Sequence, residues 1–318
     1  MTDQSKGYIA ALTGTLLIAF SFLFVKIALS SASPLDTLAH RFTITFLGAT
    51  LLLVHKKFRF RVSGKDILRI LPLAVLYPTM FFAFQAFGLM YTTSSEAGII
   101  HATVPIFTLV LATIFLKERT TILQRIFTVF SVTGVVYIFM MSGLNVANYS
   151  MTGVIFILIS AITNSMYSVL SRKLVKNYSP FQLTYVITAL GFITFNVISI
   201  SDHLIHPEAA GYLAPLMNSD YLFAILYLGI FSSLFSAFLS TYSVSKIEAT
   251  KMSVFGNLGT LITIIAGVLI LNESLQIHHF IGAVIILIGV IGTNFSKAKK
   301  AKITTPQEPS ILPVKIAR

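Results

Sequence analysis

The sequence predicts an all-α polytopic membrane protein: ten transmembrane helices, built as two five-helix inverted repeats, with both termini cytoplasmic. Three observations carry this reading. First, 55% of the 318 residues are hydrophobic and only 11% are charged, with a mean hydropathy of +0.85; a soluble domain is about 25% charged. Soluble globular and disordered classes are thereby excluded. Second, apolar runs of about 20 residues, the length a helix needs to cross a bilayer, recur along the whole chain. They do not alternate as strands of a membrane barrel would, and only helices satisfy their own backbone hydrogen bonds in lipid. Third, the second half repeats the punctuation of the first.

The spans follow in order. Span one, 7–29, carries Lys26; its long apolar stretch and single flanking cation, Lys6, set it apart from a cleaved signal peptide. Span two, 36–54, starts behind Ser33-Pro34-Leu35-Asp36 and contains Arg41. Ser caps, Pro takes the first turn and Asp reaches back. Span three, 68–91, holds Phe81, Phe82, Phe84, Gln85 and Phe87. Span four, 96–116, opens on Glu96 and His101, contains Pro105 and closes on Leu116-Lys117-Glu118. Span five is 122–141, and an external linker, 142–151, leads to the second half.

Span six, 152–171, contains Asn164, Tyr167 and Ser168. Span seven, 181–200, starts behind Ser179-Pro180-Phe181-Gln182, in the manner of span two. Span eight, 221–244, contains Ser236. Span nine, 251–271, contains Asn257 and closes on Leu271-Asn272-Glu273. Span ten is 278–295. Residues 1–6 are the cytoplasmic N-terminus. Residues 296–318 form a basic tail, expected to be disordered and to touch anionic lipid.

Orientation follows from the cations. With the N-terminus inside, 21 of the 23 Lys and Arg fall in inside segments or at the inner ends of spans, none falls in an outside connection, and the two left over, Lys26 and Arg41, lie within spans. This is the positive-inside bias. It accounts for the net charge of +12 without a nucleic-acid partner.

The repeat is read without gaps. Gly7, Ile9, Leu12, Ser33 and Pro34 meet Gly153, Ile155, Leu158, Ser179 and Pro180 at an offset of 146. Ile122, Ile126, Val129, Gly134 and Val135 meet Ile277, Ile281, Val284, Gly289 and Val290 at an offset of 155. Five spans per half is odd, so the halves enter the membrane in opposite senses, a signature of secondary transporters.

The 5+5 layout, Leu116-Lys117-Glu118, Leu271-Asn272-Glu273, Tyr91-Thr92-Thr93 before span four and Pro105 within it resemble the EamA-type drug/metabolite transporter superfamily. The likeness covers about residues 7–295, so 7–141 and 152–295 read as its two five-helix repeats. It implies a ten-helix bundle around a central cavity, and efflux or exchange of small metabolites, often amino acids or related compounds. Thr260, in place of a second proline, and Glu96 and His101, at the start of span four, depart from the family pattern.

Polar side chains inside spans are functional candidates by default. Lys26, Arg41, Gln85, Glu96 and His101 share one outer depth. The first two are candidate carboxylate anchors or, alternatively, partners of Asp36 or Glu96. His101 is a candidate cavity residue and proton carrier; Glu96 reads as an outer-mouth residue about 140° around the helix from it. Phe84 and Phe87 are candidate apolar walls. Asn164, Tyr167, Ser168, Ser236 and Asn257 are the candidates of the second half. Pro105, Glu118 and Glu273 are assigned structural or gating roles, the two glutamates capping the helix starts that follow them. Adjacent His278 and His279 are expected to point apart, and His203 and His206 to be solvated loop residues.

No cofactor or metal is expected. The chain has no Cys, and no nucleotide-binding or hydrolase motif occurs. The partners expected are a small-molecule substrate, membrane lipid and a proton as coupling ion, in a bacterial cytoplasmic membrane. A lipid flippase or channel is the alternative, with a membrane-embedded enzyme behind it.

Overall fold

In the computed structural model the described residues are 2–55, 60, 62–115, 121–144, 151–174, 178–207, 211–246 and 249–295. They are helical and include no strand. In chain order the α-helices are α1 (Asp3–Ala19), α2 (Ser21–Leu29), α3 (Pro34–Leu52), α4 (Gly64–Ala74), α5 (Phe81–Tyr91), α6 (Ser94–His101) and α7 (Val104–Phe115). Then come α8 (Ile122–Leu144), α9 (Met151–Leu174), α10 (Pro180–Ile205), α11 (Ser219–Leu226), α12 (Ser236–Lys246), α13 (Ala249–Ile270) and α14 (Ile277–Phe295). Six stretches are long and apolar enough to cross a membrane: Ser5–Leu29, Gly64–Tyr91, Ser94–Phe115, Met151–Ser171, Phe181–Ile205 and Ser219–Leu239. Ile122–Ile138, Leu258–Ile270 and Ile277–Gly292 are shorter apolar helices.

The helix starts obey their capping chemistry. Ser33 and Ser179 accept from the amides of Asp36 and Gln182, each with Pro in the first turn. What the apolar runs conceal is that several expected spans are interrupted. Span one turns at Phe20 between α1 and α2. Span three widens into a π-helical stretch, Val75–Met80, where Tyr77 leaves helical backbone (φ −141°, ψ 117°) next to Pro78. Span four breaks at Ala102-Thr103, just before Pro105. Span eight has a second π-helical stretch, Tyr227–Phe235. Proline removes a backbone donor and crowds the preceding turn, so the breaks at Pro78 and Pro105 have a local cause.

Packing pairs the helices so that exchanging the halves reproduces the pattern. α1 packs on α12 and α13, and α9 packs on α5 and on α6 and α7; α3 packs on α10, and α8 on α14. The last pair is held by small residues. A Cβ at Gly289 would stand 2.5 Å from Ser131 Cβ, and one at Gly134 2.9 Å from Ile286 Cγ1. The two contacts are equivalents at the 155-residue offset. Ser131 Oγ donates to the carbonyl of Ile286 at 3.1 Å, the close approach that small residues permit between helices in lipid.

The α3–α10–α11 seam carries a buried polar cluster. Asp36 accepts from Ser199 Oγ at 2.6 Å and lies 2.9 Å from His203 Nε2. His203 therefore belongs to the last turn of α10 and pairs with a buried carboxylate, correcting the expected solvated loop position; His206 is exposed and pairs with Asp202. Tyr221 OH and His40 Nδ1 are 2.7 Å apart. Tyr221→Phe is expected to cost about 1 kcal/mol, seen as a lower thermal midpoint in detergent, because His40 Nε2 already lacks a partner.

Candidate functional site

The break in span four places a cavity inside the bundle. α6 ends at His101 and α7 starts at Val104. Since Pro105 has no N–H, it cannot serve the carbonyl of His101 four residues earlier. α13 packs along α6, whereas α7 swings away to pack on α9. At the fork lies a cavity of about 200 Å³, lined by α1, α2, α6, α7, α9 and α13. Its polar groups are Thr15, His101, Asn164, Thr260 and Thr263; Ile18, Phe22 and Pro105 supply apolar wall. Among the described residues no Lys, Arg, Asp or Glu lines it.

His101 is held between aromatic edges. Its ring lies 5.0 Å from Phe22 and 5.7 Å from Phe81, both edge-on, and its Nε2 is 3.4 Å from Ser160 Oγ. Ser160 itself donates to the carbonyl of Phe81 at 3.0 Å. The imidazole thus stands at the junction of α2, α5, α6 and α9. Chemically the cavity offers a few hydrogen-bonding groups in an apolar shell, the usual composition of a small-molecule site.

The other residues expected at the same depth do not line this cavity. Lys26 Nζ donates to the carbonyls of Leu89 (2.7 Å) and Thr92 (2.8 Å), which end α5. A cation at a helix C-terminus satisfies carbonyls that have no partner within the helix. Glu96 is buried rather than open at a mouth: it accepts from Thr92 Oγ1 at 2.5 Å and from the Thr93 amide at 3.0 Å, and lies 3.3 Å from His279 Nε2. It closes the capping box that starts α6, and that role holds the carboxylate against its own helix. Arg41 is 1% exposed. Its Nε donates to Ser233 Oγ at 2.9 Å, its guanidinium lies 4.1 Å from the Phe82 ring centre, and Nη1 has no partner.

Gln85 is buried outside the cavity. Phe84 packs near Phe156 at 5.9 Å, and neither it nor Phe87 lines the cavity; Phe22 does. Tyr167 stacks on Tyr77 at 4.6 Å. Ser168 donates to the carbonyl of Asn164 at 2.9 Å, and Ser236 to that of Ser232. Asn257 lies on α13, but its side chain is outside the described residues, as is Glu118. The rings of His278 and His279 lie 4.1 Å apart rather than pointing away from each other; no three-residue metal cluster occurs among the described residues.

Glu273 corrects the expected capping role. It does not serve α14, the helix that follows it. Its carboxylate accepts from the Ser94 amide (2.7 Å), Ser94 Oγ (2.8 Å), the Ser95 amide (2.9 Å) and Ser95 Oγ (2.6 Å), all at the start of α6. Asn272, with φ of 53°, turns the chain so that the carboxylate faces back across the bundle.

Sequence reasoning missed Thr15, Ile18, Phe22, Thr260 and Thr263. The repeat held a usable signal. Ile18 and Asn164 are equivalents at offset 146, Pro105 and Thr260 at offset 155, and all four line the cavity.

Comparison with known proteins agrees with this architecture. The chain is 48% identical over 300 residues to the uncharacterized transporter YcxC of Bacillus subtilis strain 168, covering 94% of this chain and 96% of that one. It is 27% identical over 288 residues to an uncharacterized transporter of Archaeoglobus fulgidus, covering 90% and 98%. A solved crystal structure with 17% identity superposes with a TM-score of 0.61, over 92% of this chain and 97% of the other, and shares the fold. The model of the EamA-like transporter family matches residues 5–140 and 151–295. With its apolar helices and cavity at a helix break, the chain is a multi-pass integral membrane protein of the EamA-like transporter family.

Proposed function

We propose that this transporter is a secondary carrier of small metabolites, working by alternating access and exporting amino acids or related compounds from a bacterial cytoplasm. In this reading ten helices cross the cytoplasmic membrane, both termini are inside, and the α6 start lies at the outer face. The observation that carries it is the cavity at the α6–α7 break, bounded by helices of both halves. Discontinuous helices at a repeat interface are where secondary transporters bind substrate. The half-exchanging packing pattern supports the inverted repeat, and the cation distribution supports the orientation.

The mechanism follows from the fork. In this reading α13 closes on α6 toward the outer face, and the departure of α7 gives the cavity its access from the inner one. Substrate enters from the cytoplasm, displaces water from the apolar wall and hydrogen-bonds to Asn164 and His101. Rocking of one half against the other then separates α6 from α13. The proton is the proposed coupling ion, with His101 as its carrier.

The test compares wild type with Asn164→Leu at equal membrane levels in a transport-poor bacterium, profiling soluble metabolites inside and outside. Export of one compound class by wild type, reduced at least about tenfold in the variant as expected for a lost buried polar contact, supports the reading. If no soluble compound moves, metabolite export is overturned; transfer of a labelled lipid between leaflets then favours a flippase.

A further inference from the structure

A charge taken out of water needs a counter-charge, and Arg41 has none. Among the described residues it is the least exposed charged side chain, at 1%. Its Nε donates to Ser233 Oγ at 2.9 Å and its Nη2 to Ser232 Oγ at 3.3 Å, and one face of the guanidinium lies over the Phe82 ring. Both acceptors are neutral hydroxyls. No carboxylate of the described residues forms an ion pair with it. The one carboxylate of α3, Asp36, is taken by Ser199 and His203. Nη1 has no partner. A water molecule satisfies an N–H but does not neutralise a charge.

The orphaned donor belongs to a cluster. The buried side-chain atoms without a partner among the described residues are Thr37 Oγ1, His40 Nε2 and Arg41 Nη1. They stand at i, i+3 and i+4 on one face of α3. Thr37 is a neutral hydroxyl, and His40 is held through Nδ1 by Tyr221; Arg41 alone is a fixed charge. The backbone around Arg41 is unusual as well. Ser232 and Ser233 lie in the π-helical stretch Tyr227–Phe235, and Phe82 closely follows the π-helical stretch Val75–Met80. One such stretch falls in each family-matched half, and widened turns of this kind are rare and concentrate at functional sites. The cavity is near. The Phe82 ring centre is 4.5 Å from that of Phe81, which is 5.7 Å from that of His101.

We propose that Arg41 is a binding site for one small monovalent anion, an inorganic halide or the carboxylate of a small organic acid. The anion takes the Nη1 donor and supplies the negative charge that the two serines lack. A divalent anion is disfavoured, because its second charge would be left uncompensated beside a single buried cation. Arg41 does not line the cavity, so this site goes beyond the transport reading, and its occupancy is read without flux.

The test uses the purified full chain in detergent at constant ionic strength. The starting salt is potassium gluconate, an anion too bulky for a side chain 1% exposed, and it is replaced stepwise by chloride or by acetate. The wild-type thermal midpoint is expected to rise saturably, by about 5 °C, as for a ligand that binds only the folded state. Arg41→Gln is expected to lose the rise. Arg41→Lys keeps the charge, but an ammonium does not hold both serines and present a further donor in one plane. Its half-saturating concentration is expected to be about tenfold higher, the factor of one lost charge-assisted hydrogen bond, and it decides the case in which Arg41→Gln fails to accumulate. A rise with chloride alone assigns the inorganic anion; a rise with acetate assigns the carboxylate. If wild type responds to neither anion, if Arg41→Gln keeps the rise, or if Arg41→Lys half-saturates where wild type does, the anion site is overturned.

Discussion

Gly289→Leu is expected to abolish the packed bundle while leaving membrane insertion intact. A Cβ there would stand 2.5 Å from Ser131 Cβ, 2.7 Å from the Ser131 amide nitrogen and 2.8 Å from the Phe127 carbonyl oxygen. These are backbone and Cβ atoms, which cannot rotate away. α8 and α14 must separate, and the Ser131–Ile286 hydrogen bond is lost with them. Overpacking of this kind costs about 3 kcal/mol, and a bundle held by close packing has no hydrophobic drive between helices to offset it. The measurement is the fraction of detergent-extracted protein that elutes as a single monodisperse species. Gly64→Ala is the control, since nothing lies within 4 Å of its added Cβ. Equal recovery of Gly289→Leu and wild type would refute the proposed tightness of this seam.

Lys26→Met is expected to be the most damaging change of a single polar residue, by about 2–4 kcal/mol. Methionine keeps the length but leaves the carbonyls of Leu89 and Thr92 without their donor. It also removes the cation near Glu273 and Glu96, so each carboxylate loses a compensating charge. Lys26→Arg is expected to recover part of the loss, because a guanidinium retains charge and donors in a different geometry. The thermal midpoint in detergent reports both. A midpoint unchanged by Lys26→Met would show that water serves those carbonyls equally well, and that the lysine is not structural.

These two expectations rest on different levels of the molecule, and the sequence disclosed them unequally. The Gly134–Gly289 equivalence is visible in the chain as part of the 155-residue register. What the register does not tell is that each packs into the other's helix, Gly134 against Ile286 and Gly289 against Ser131, because the pairing of α8 with α14 arises only when the halves assemble. For Lys26, the sequence placed a cation at the right depth. Whether it met a substrate, a carboxylate or a helix end depended on where α5 stops, and that stop is set by Thr92 in extended backbone.

The candidate site divides along the same line. His101, Asn164 and Pro105 are legible because a polar residue or proline in an apolar run is conspicuous, and all three line the cavity. Arg41, Gln85, Glu96 and Lys26 were equally conspicuous and lie elsewhere. Depth along a span can be counted from sequence; direction around it depends on helix rotation and on breaks such as Ala102-Thr103, which shift the register of everything after them. The apolar wall was legible only where the repeat pairs Ile18 with Asn164; Phe22 resembles every other apolar residue of its span.

Composition and run length determined by themselves that this chain is a helical membrane protein, and its motifs resemble the EamA-like transporter family, to which the family match assigns it. Those features reflect the bilayer and the backbone, which impose the same demands on every residue of a span. Tertiary structure alone decided that Glu273 caps α6 rather than α14, that His203 pairs with Asp36, and that the cavity lies at the fork of α7 and α13. Each of these joins groups more than 150 residues apart in the chain, and no local pattern encodes which of many compatible donors and acceptors will meet.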